Sequence, residues 1–322
     1  MAIRKKSYAI HQCPLFKIAS RKKLAALLGF DLSVLEGLST ATNNFRTFEI
    51  KQGIKLRKVE VPKRRLELVH RKVFSLLERI EKPEYLHSGI KGRSYITNAK
   101  VHVGPVPLVK LDLKKFYPSI DGARVYRFFQ QALQCSPDVS GLLTKLCTID
   151  GHVPTGSCVS QLLAYFSAKP MFDELHMLSS QWGLRDTCYV DDLTWSGERA
   201  TPAFLWNAKK VVYRHGFKYH KDHVYTADEQ KLVTGVMIDG DRIAVLPSRE
   251  LKLWKDINAL GMSEPVERLA AVNSLIGSVV ANGQIEPRFL QRLRRLRDTR
   301  ISLIRQLEVN FSRQPSLLPS DR

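Results

Sequence analysis

Tyr189-Val190-Asp191-Asp192 decides the reading of this chain. The four residues lie between two short β-prone segments, Thr187-Cys188 before them and Leu193-Thr194-Trp195 after them, which places two acids at the tip of a hairpin. Well upstream, the apolar run Val106-Pro107-Leu108-Val109-Lys110-Leu111 delivers Asp112 at the end of another strand. A solvated turn is the ordinary explanation of an isolated Asp-Asp pair. Three strand-end acids would instead gather carboxylates at one sheet edge, where they repel unless cations neutralise them. Magnesium suits that task, using one or two carboxylates plus substrate phosphates. Two such ions ~3.5–4 Å apart clamp the attacking and leaving oxygens of an in-line phosphoryl transfer. The expected chemistry is therefore that of a polymerase or a nuclease.

Working outward, residues 46–61 alternate in a strand-like way around Gly53, and Leu66, Val69, Val73, Leu76, Leu77 and Ile80 form a helical stripe. Ahead of them, Ser20 and Asp31 are placed to cap two short helices. Residues 122–149 and 159–177 read as helices, followed by the hairpin and a helix closing over 211–217. Leu232–Ile238 and Arg242–Leu246 predict a second hairpin around Asp239-Gly240. The last 70 or so residues are helical and basic, with Leu293, Leu296, Leu303 and Leu307 as the apolar side. The tail after Phe311 is expected to be poorly ordered.

The chain of 322 residues carries 51 Lys and Arg against 31 acids, a formal charge of +20. Such a surplus favours a polyanionic partner, through counterion release from nucleic acid or attraction to an anionic membrane. No apolar stretch reaches the roughly 18 residues of a spanning helix. The basic start Met1-Ala2-Ile3-Arg4-Lys5-Lys6-Ser7 lacks the apolar core of a secretory signal. Five cysteines without a Cys-x-x-Cys pair predict reduced, mostly buried thiols in a cytoplasmic setting and no structural zinc.

Tyr189-Val190-Asp191-Asp192 resembles the signature hairpin of reverse transcriptases. Leu111-Asp112-Leu113-Lys114-Lys115-Phe116-Tyr117-Pro118-Ser119-Ile120 resembles their first catalytic strand, and Pro154-Thr155-Gly156-Ser157-Cys158-Val159-Ser160-Gln161 their substrate-positioning motif. The resemblance covers most of the chain and implies an α+β, right-hand polymerase fold. A helical segment at 1–45 would precede fingers at 46–105, with part of 122–160. The palm, an antiparallel sheet with helices, would follow at 106–240 and a basic helical thumb at 241–322. It implies Asp112 and Asp191 as the main ligands of two Mg²⁺ ions (Mn²⁺ as a substitute), with Asp192 beside them and the Leu113 carbonyl as a further oxygen. It also implies contacts of Arg57, Tyr117, Thr155 and Gly156 with the incoming deoxynucleoside triphosphate. Tyr117 would lie beneath the sugar and exclude a 2′-hydroxyl; core packing is the plainer role for such an aromatic. Lys58 and Lys63 are weaker candidates than Arg57, since most single surface cations are only solvated. Thr155 and Gln161 depart from the family's usual Gln and Pro, while Gly156 permits close backbone approach to a nucleotide. Lys221 and His223 are alternative proton donors to pyrophosphate.

Asn98-Ala99-Lys100-Val101-His102 and Val233-Thr234-Gly235 resemble elements typical of retron enzymes, with a core or surface histidine and a strand bulge as their plain alternatives. A retron enzyme would bind its own structured non-coding RNA, prime DNA synthesis from a 2′-hydroxyl of an internal guanosine, and yield branched msDNA. It would act with a separate effector protein in phage defence. RNA contacts are then expected from Asn98, His102, Val233, Thr234, Gly235, Arg288, Arg292 and Arg295, the arginines tracking an A-form backbone. Rival readings are a group II intron or diversity-generating reverse transcriptase, a metal-dependent nuclease, and a non-catalytic RNA-binding scaffold on the same fold.

Overall fold

The computed structural model describes residues 7–52, 55–260 and 264–312. Gly53 and the tail beyond Ser312 therefore lie outside the described residues. Two compact units result, one running to Val101 and resuming at Val106–Ala227, the other comprising His102–Pro105 and the chain from Asp228. The stretch 228–240, expected with the catalytic part, thus packs within the unit of the C-terminal helices.

In the first unit, α1 (Arg21–Leu28) and α2 (Leu32–Thr40) begin after Ser20 and Asp31. Both residues hold the N-cap position in extended backbone, but neither side chain makes the expected cap bond. What secures α1 is burial of Leu24, Ala25 and Leu28, and the left-handed Gly29, whose N–H reaches the Ala25 and Ala26 carbonyls. β1 (Phe45–Gln52) and β2 (Lys55–Pro62) pair antiparallel, Phe45 opposite Pro62 and Ile50 opposite Arg57.

α3 (Arg64–Leu77) buries Leu66, Val69, Val73 and Leu77 as its stripe predicts, and a histidine lies in the same line. The His70 Nε2 is 2.7 Å from the Leu146 carbonyl and must donate to it, so Nδ1, 2.6 Å from Ser157 Oγ, accepts the hydroxyl proton. Burial holds this imidazole neutral and pushes its pKa down to about 4. An unfolded histidine titrates near 6.5, so between pH 6.5 and 4 the unfolded chain takes up a proton that the folded chain refuses. Stability is expected to fall through that window by up to about 3 kcal/mol from this residue. Urea unfolding at pH 7.5 and 4.5 checks it: the acid loss should be smaller in His70→Gln, and equal losses would remove His70 as the cause.

The remaining elements of this unit are α4 (Tyr95–Lys100), β3 (Leu108–Leu113), α5 (Phe116–Ser119), α6 (Gly122–Arg127), α7 (Pro137–Cys147), α8 (Ser160–Gln181), β4 (Arg185–Tyr189), β5 (Asp192–Ser196), α9 (Pro202–Arg214) and β6 (Tyr219–Tyr225). A single π-helical turn, Phe128–Ala132, extends α6. The four strands form one antiparallel sheet in the order β4-β5-β3-β6. Its pleat separates two chemistries. Val109 and Leu111 pair with Trp195 and Leu193, all buried, against a core containing Phe116, Phe172 and Phe204. Each such side chain removed from water contributes roughly 1.5–3 kcal/mol. On the other face Lys110 and Asp112 stay half-buried.

The second unit holds β7 (Lys231–Val233), β8 (Val236–Asp239) and β9 (Arg242–Ala244) as a three-stranded antiparallel sheet. The single strand expected over 232–238 is interrupted at Thr234-Gly235. Three helices follow: α10 (Pro247–Ala259), α11 (Pro265–Gly283) and α12 (Leu293–Ser312). Leu296 and Leu303 are buried, while Leu293 and Leu307 are half-buried. The chain is thus of α+β class. No helix among the described residues is long and apolar enough to cross a membrane. All five cysteines are free thiols, and only Cys158 is exposed.

Candidate active site

The site grows from the β4–β5 turn. Tyr189 pairs with Asp192, which leaves Val190 and Asp191 as a two-residue connection. Val190 sits at φ 61°, a left-handed conformation that a β-branched residue adopts only under strain of about 1–3 kcal/mol. Its amide donates to Ser88 Oγ at 3.0 Å, and the segment before Ser88 braces β4 through Cys188 N to Tyr85 O (2.7 Å) and His87 N to Cys188 O (2.9 Å). Ser88 and this brace went unnoticed in the sequence, where nothing links residues so far apart.

β3 brings the third acid. Asp112 stands directly opposite Asp192, and the Leu113 amide donates to the Asp191 carbonyl at 2.9 Å. All three expected carboxylates are therefore brought together. Burial and the neighbouring Asp112 push the Asp191 carboxyl up to about 6, Asp192 adding to the push and Arg57 opposing it. Burial also raises Asp192, against the pull of Lys110. One oxygen of Asp112, Oδ1, is buried without a hydrogen-bond partner. Its Oδ2 lies 3.7 Å from His220 Nε2.

β6 supplies the basic side chains. Lys221 is the register partner of Asp112, and His223 that of Lys110, with the His223 ring 4.2 Å from the Tyr225 ring. A bulge between Asp112 and Leu113 leaves His220 between the paired Tyr219 and Lys221. Lys110 and His220 are additions to the expected set. Lys110 was legible, since strand alternation places residue 110 on the face of residue 112; the bulge that presents His220 was not.

Tyr117 follows on α5, half-buried, with its ring 5.8 Å from that of Phe116. Burial, then Asp191 and Tyr189, push its hydroxyl up to about 12, so it adjoins the carboxylates. Arg57 is exposed on β2 yet close enough to act on Asp191. Lys58 is instead paired with Glu60 at 2.9 Å, and Lys63 with Asn43.

Thr155 and Gly156 are committed to β2. Thr155 Oγ1 donates to the Lys58 carbonyl at 3.0 Å and accepts from Glu60 N at 3.2 Å, while Gly156 N donates to the Glu60 carbonyl at 3.0 Å. A Cβ on Gly156 would lie 2.8 Å from Val61 Cγ2 and 2.9 Å from the Glu60 carbonyl oxygen. The close approach that demands a glycine is to this strand. His152 adds a contact of 3.1 Å to the buried Glu60. Burial alone would raise that carboxyl, but Lys58 and His152 outweigh it and leave it lowered. Gln161, at the departure from the family pattern, packs beside Gly89.

Of the other expected residues, Asn98 and His102 are buried. Thr234 (φ 46°) and Gly235 (φ 80°) form the two-residue β7–β8 turn, with left-handed backbone at both positions as a type I′ turn requires, in place of a bulge. Val233 is buried beside it. Arg288 is held by Glu250 through two contacts of 2.9 Å and by Glu286 at 2.7 Å. Arg292 and Arg295 are exposed and make no ion pair among the described residues.

Whether metal fits can be judged from the donors. Among the described residues no group of three or more His, Cys, Asp or Glu side chains is gathered closely enough to hold a metal ion by itself. An open set suits magnesium, which completes its sphere with waters and phosphates. The unpartnered Asp112 Oδ1 and the raised Asp191 carboxyl leave oxygen donors to which a cation could bind.

No family model matches the chain. Similarity to individual proteins is extensive. The chain is 33% identical over 189 residues to the retron Se72 reverse transcriptase of Salmonella heidelberg, covering 56% of this chain and 49% of that protein. It is 29% identical over 310 residues to the retron Mx65 reverse transcriptase of Myxococcus xanthus, 87% of this chain and 72% of that one. With the retron Ec86 reverse transcriptase of Escherichia coli it shares 24% identity over 294 residues, 86% and 85% of the two chains. The match thus spans about half the length of the Salmonella relative and most of the other two. Motif order and carboxylate register agree with these similarities, and the chain is similar to retron reverse transcriptases over most of its length.

Proposed function

We propose that the protein copies part of its own structured non-coding RNA into DNA, priming from the 2′-hydroxyl of an internal guanosine to give branched msDNA. The observation that carries this is Asp112 opposed to Asp192, with Asp191 tied to Leu113, in a chain whose relatives are retron reverse transcriptases. In this reading residues 106–227 are the palm, 46–105 with part of 122–160 the fingers, and the helices of 241–322 the thumb, with 228–240 packed in the thumb's unit.

Asp112, Asp191 and the Leu113 carbonyl would hold two magnesium ions, with Asp192 beside them. Bound there, the ions would activate the attacking hydroxyl and stabilise the leaving pyrophosphate. The chain's own residues do the rest. Arg57, carried on β2, meets the triphosphate, and β2 is kept in place by Thr155, Gly156 and the Glu60–His152 contact. Tyr117 sits beneath the sugar and excludes a 2′-hydroxyl. Lys221, opposite Asp112, donates the proton to pyrophosphate in preference to His223, which lies two residues further along. Arg292 and Arg295, without acidic partners among the described residues, grip RNA phosphates, whereas Arg288 is occupied by Glu250 and Glu286. Action with a separate effector protein in phage defence completes the proposal.

Sequencing the nucleic acid that co-purifies with the chain tests it. The expected product is DNA joined 2′–5′ to a guanosine of one RNA species and released by debranching enzyme. Linear DNA, or an intron RNA without branched DNA, would transfer the protein to the group II intron or diversity-generating class.

A further inference from the structure

A cavity of about 220 Å³ opens between α6 with its π turn, the middle of α8, and the Gly216 turn after α9. It contains none of the residues assigned above to nucleotide or metal. Its floor is apolar, with Phe128, Phe166 and Met171 among the lining residues and the first two rings stacked 5.3 Å apart at 8°. Above the floor lie two guanidinium groups, Arg124 and Arg127.

The charges here are unevenly settled. Lys169 is paired with Asp173 at 2.6 Å and His215 with Glu174 at 2.7 Å. Neither Arg124 nor Arg127 has a carboxylate in ion-pair contact among the described residues. Arg124 is fixed all the same: its Nη2 donates to the His215 carbonyl at 2.7 Å and its guanidinium lies 4.2 Å from the Phe217 ring centre. Gly216 makes room for it, since a Cβ there would meet Arg124 Nη2 at 2.9 Å. The Nε of this pinned guanidinium is buried and has no hydrogen-bond partner. Arg127 Nε reaches only the Ala123 carbonyl, at 3.4 Å.

Two further polar groups line the same space. Ser167 Oγ is buried without a partner. Pro170, inside α8, withdraws the amide that would otherwise bond the Phe166 carbonyl one turn earlier. The π turn is a costly local geometry that recurs at binding sites. A concave space with a paired lysine at its rim, two guanidiniums without carboxylate partners among the described residues, and unfilled donors is arranged for an anion with an apolar body.

We propose that this cavity binds a small aromatic anion, its phosphate or carboxylate head bridging Arg124 and Arg127 and its ring lying on Phe128, Phe166 and Met171. The site is separate from the polymerisation chemistry and does not depend on it.

Calorimetric titration of the full chain with phenyl phosphate, benzoate and inorganic phosphate tests the assignment. One or both aromatic probes should bind about tenfold or more tighter than inorganic phosphate, because only they use the apolar floor. Arg124→Met and the solvent-facing Arg127→Gln should each weaken aromatic-probe binding about tenfold or more. Asp112→Asn should leave it unchanged, and saturating dATP should not displace the probe. The exposed position of Arg127 keeps the test usable should Arg124→Met fail to fold. Absence of binding at probe concentrations on the order of 10 mM, equal affinity for aromatic probe and phosphate, equal affinity in wild type and Arg127→Gln, or displacement by dATP would each overturn the proposal.

Discussion

Asp191→Asn is expected to cut RNA-templated DNA synthesis by ~10³-fold or more while RNA affinity changes no more than a few-fold. The size follows from losing a ligand to ions that supply several kcal/mol to an in-line transfer, at 1.36 kcal/mol per decade of rate. The selectivity follows from the position of the residue at the β4–β5 turn, since RNA affinity resides in the surplus of surface Lys and Arg, which the substitution leaves in place. The structure adds a sign that distinguishes a catalytic loss from a folding defect. Burial and Asp112 raise the Asp191 carboxyl to about 6, so its ionised form costs the folded state stability above that pH. An amide carries no such cost. In EDTA at pH 8 the variant should therefore melt no lower than wild type, while its extension of a primed RNA template is lost. Synthesis near the wild-type rate would remove Asp191 from the chemistry. A lowered Tm with parallel loss of RNA binding would make the residue structural.

What the sequence made legible was local. Strand alternation around Asp112, the two-residue spacing of Tyr189 and Asp192 and the helical stripe of α3 all survive because each depends on near neighbours. The misses are contacts between distant segments. Ser88 holding Val190, His70 holding Ser157 and His152 holding Glu60 link residues 87 or more positions apart, and no periodicity encodes them. His220 reaches Asp112 through a bulge, which breaks the pattern that alternation relies on. Arg288 differs from its basic neighbours in being paired with Glu250, a partner 38 residues away that composition does not reveal. Ser20 and Asp31 mark helix starts without bonding as caps, because position alone does not aim a side chain.

Gly156→Ala carries the second large expectation, a fall of ~10²-fold in kcat/KM for the incoming nucleotide, comparable to a misplacement of about 1 Å at a reacting group. Gly156 is not among the residues of positive φ, so space decides the outcome. The added methyl would meet Val61 Cγ2 at 2.8 Å, the Glu60 carbonyl oxygen at 2.9 Å and Val59 Cγ1 at 3.0 Å. All three belong to β2, and the carbonyl cannot rotate away because it accepts the Gly156 amide at 3.0 Å. The strand must move as a body, straining the two bonds of Thr155 Oγ1 and shifting Arg57. Overpacking of this kind costs about 1–3 kcal/mol, which leaves the fold intact and the alignment of the cation spoiled. The loss should appear mainly in KM, since in the proposed reading Arg57 meets the triphosphate and takes no part in bond making. Thr155→Ser keeps the hydroxyl and should stay near wild type, whereas Thr155→Val should share the KM defect. Steady-state kinetics on a primed RNA template with varied dNTP reads all three. Wild-type kinetics in Gly156→Ala would mean that β2 yields without consequence, and the placing of Arg57 on the substrate would fall with it.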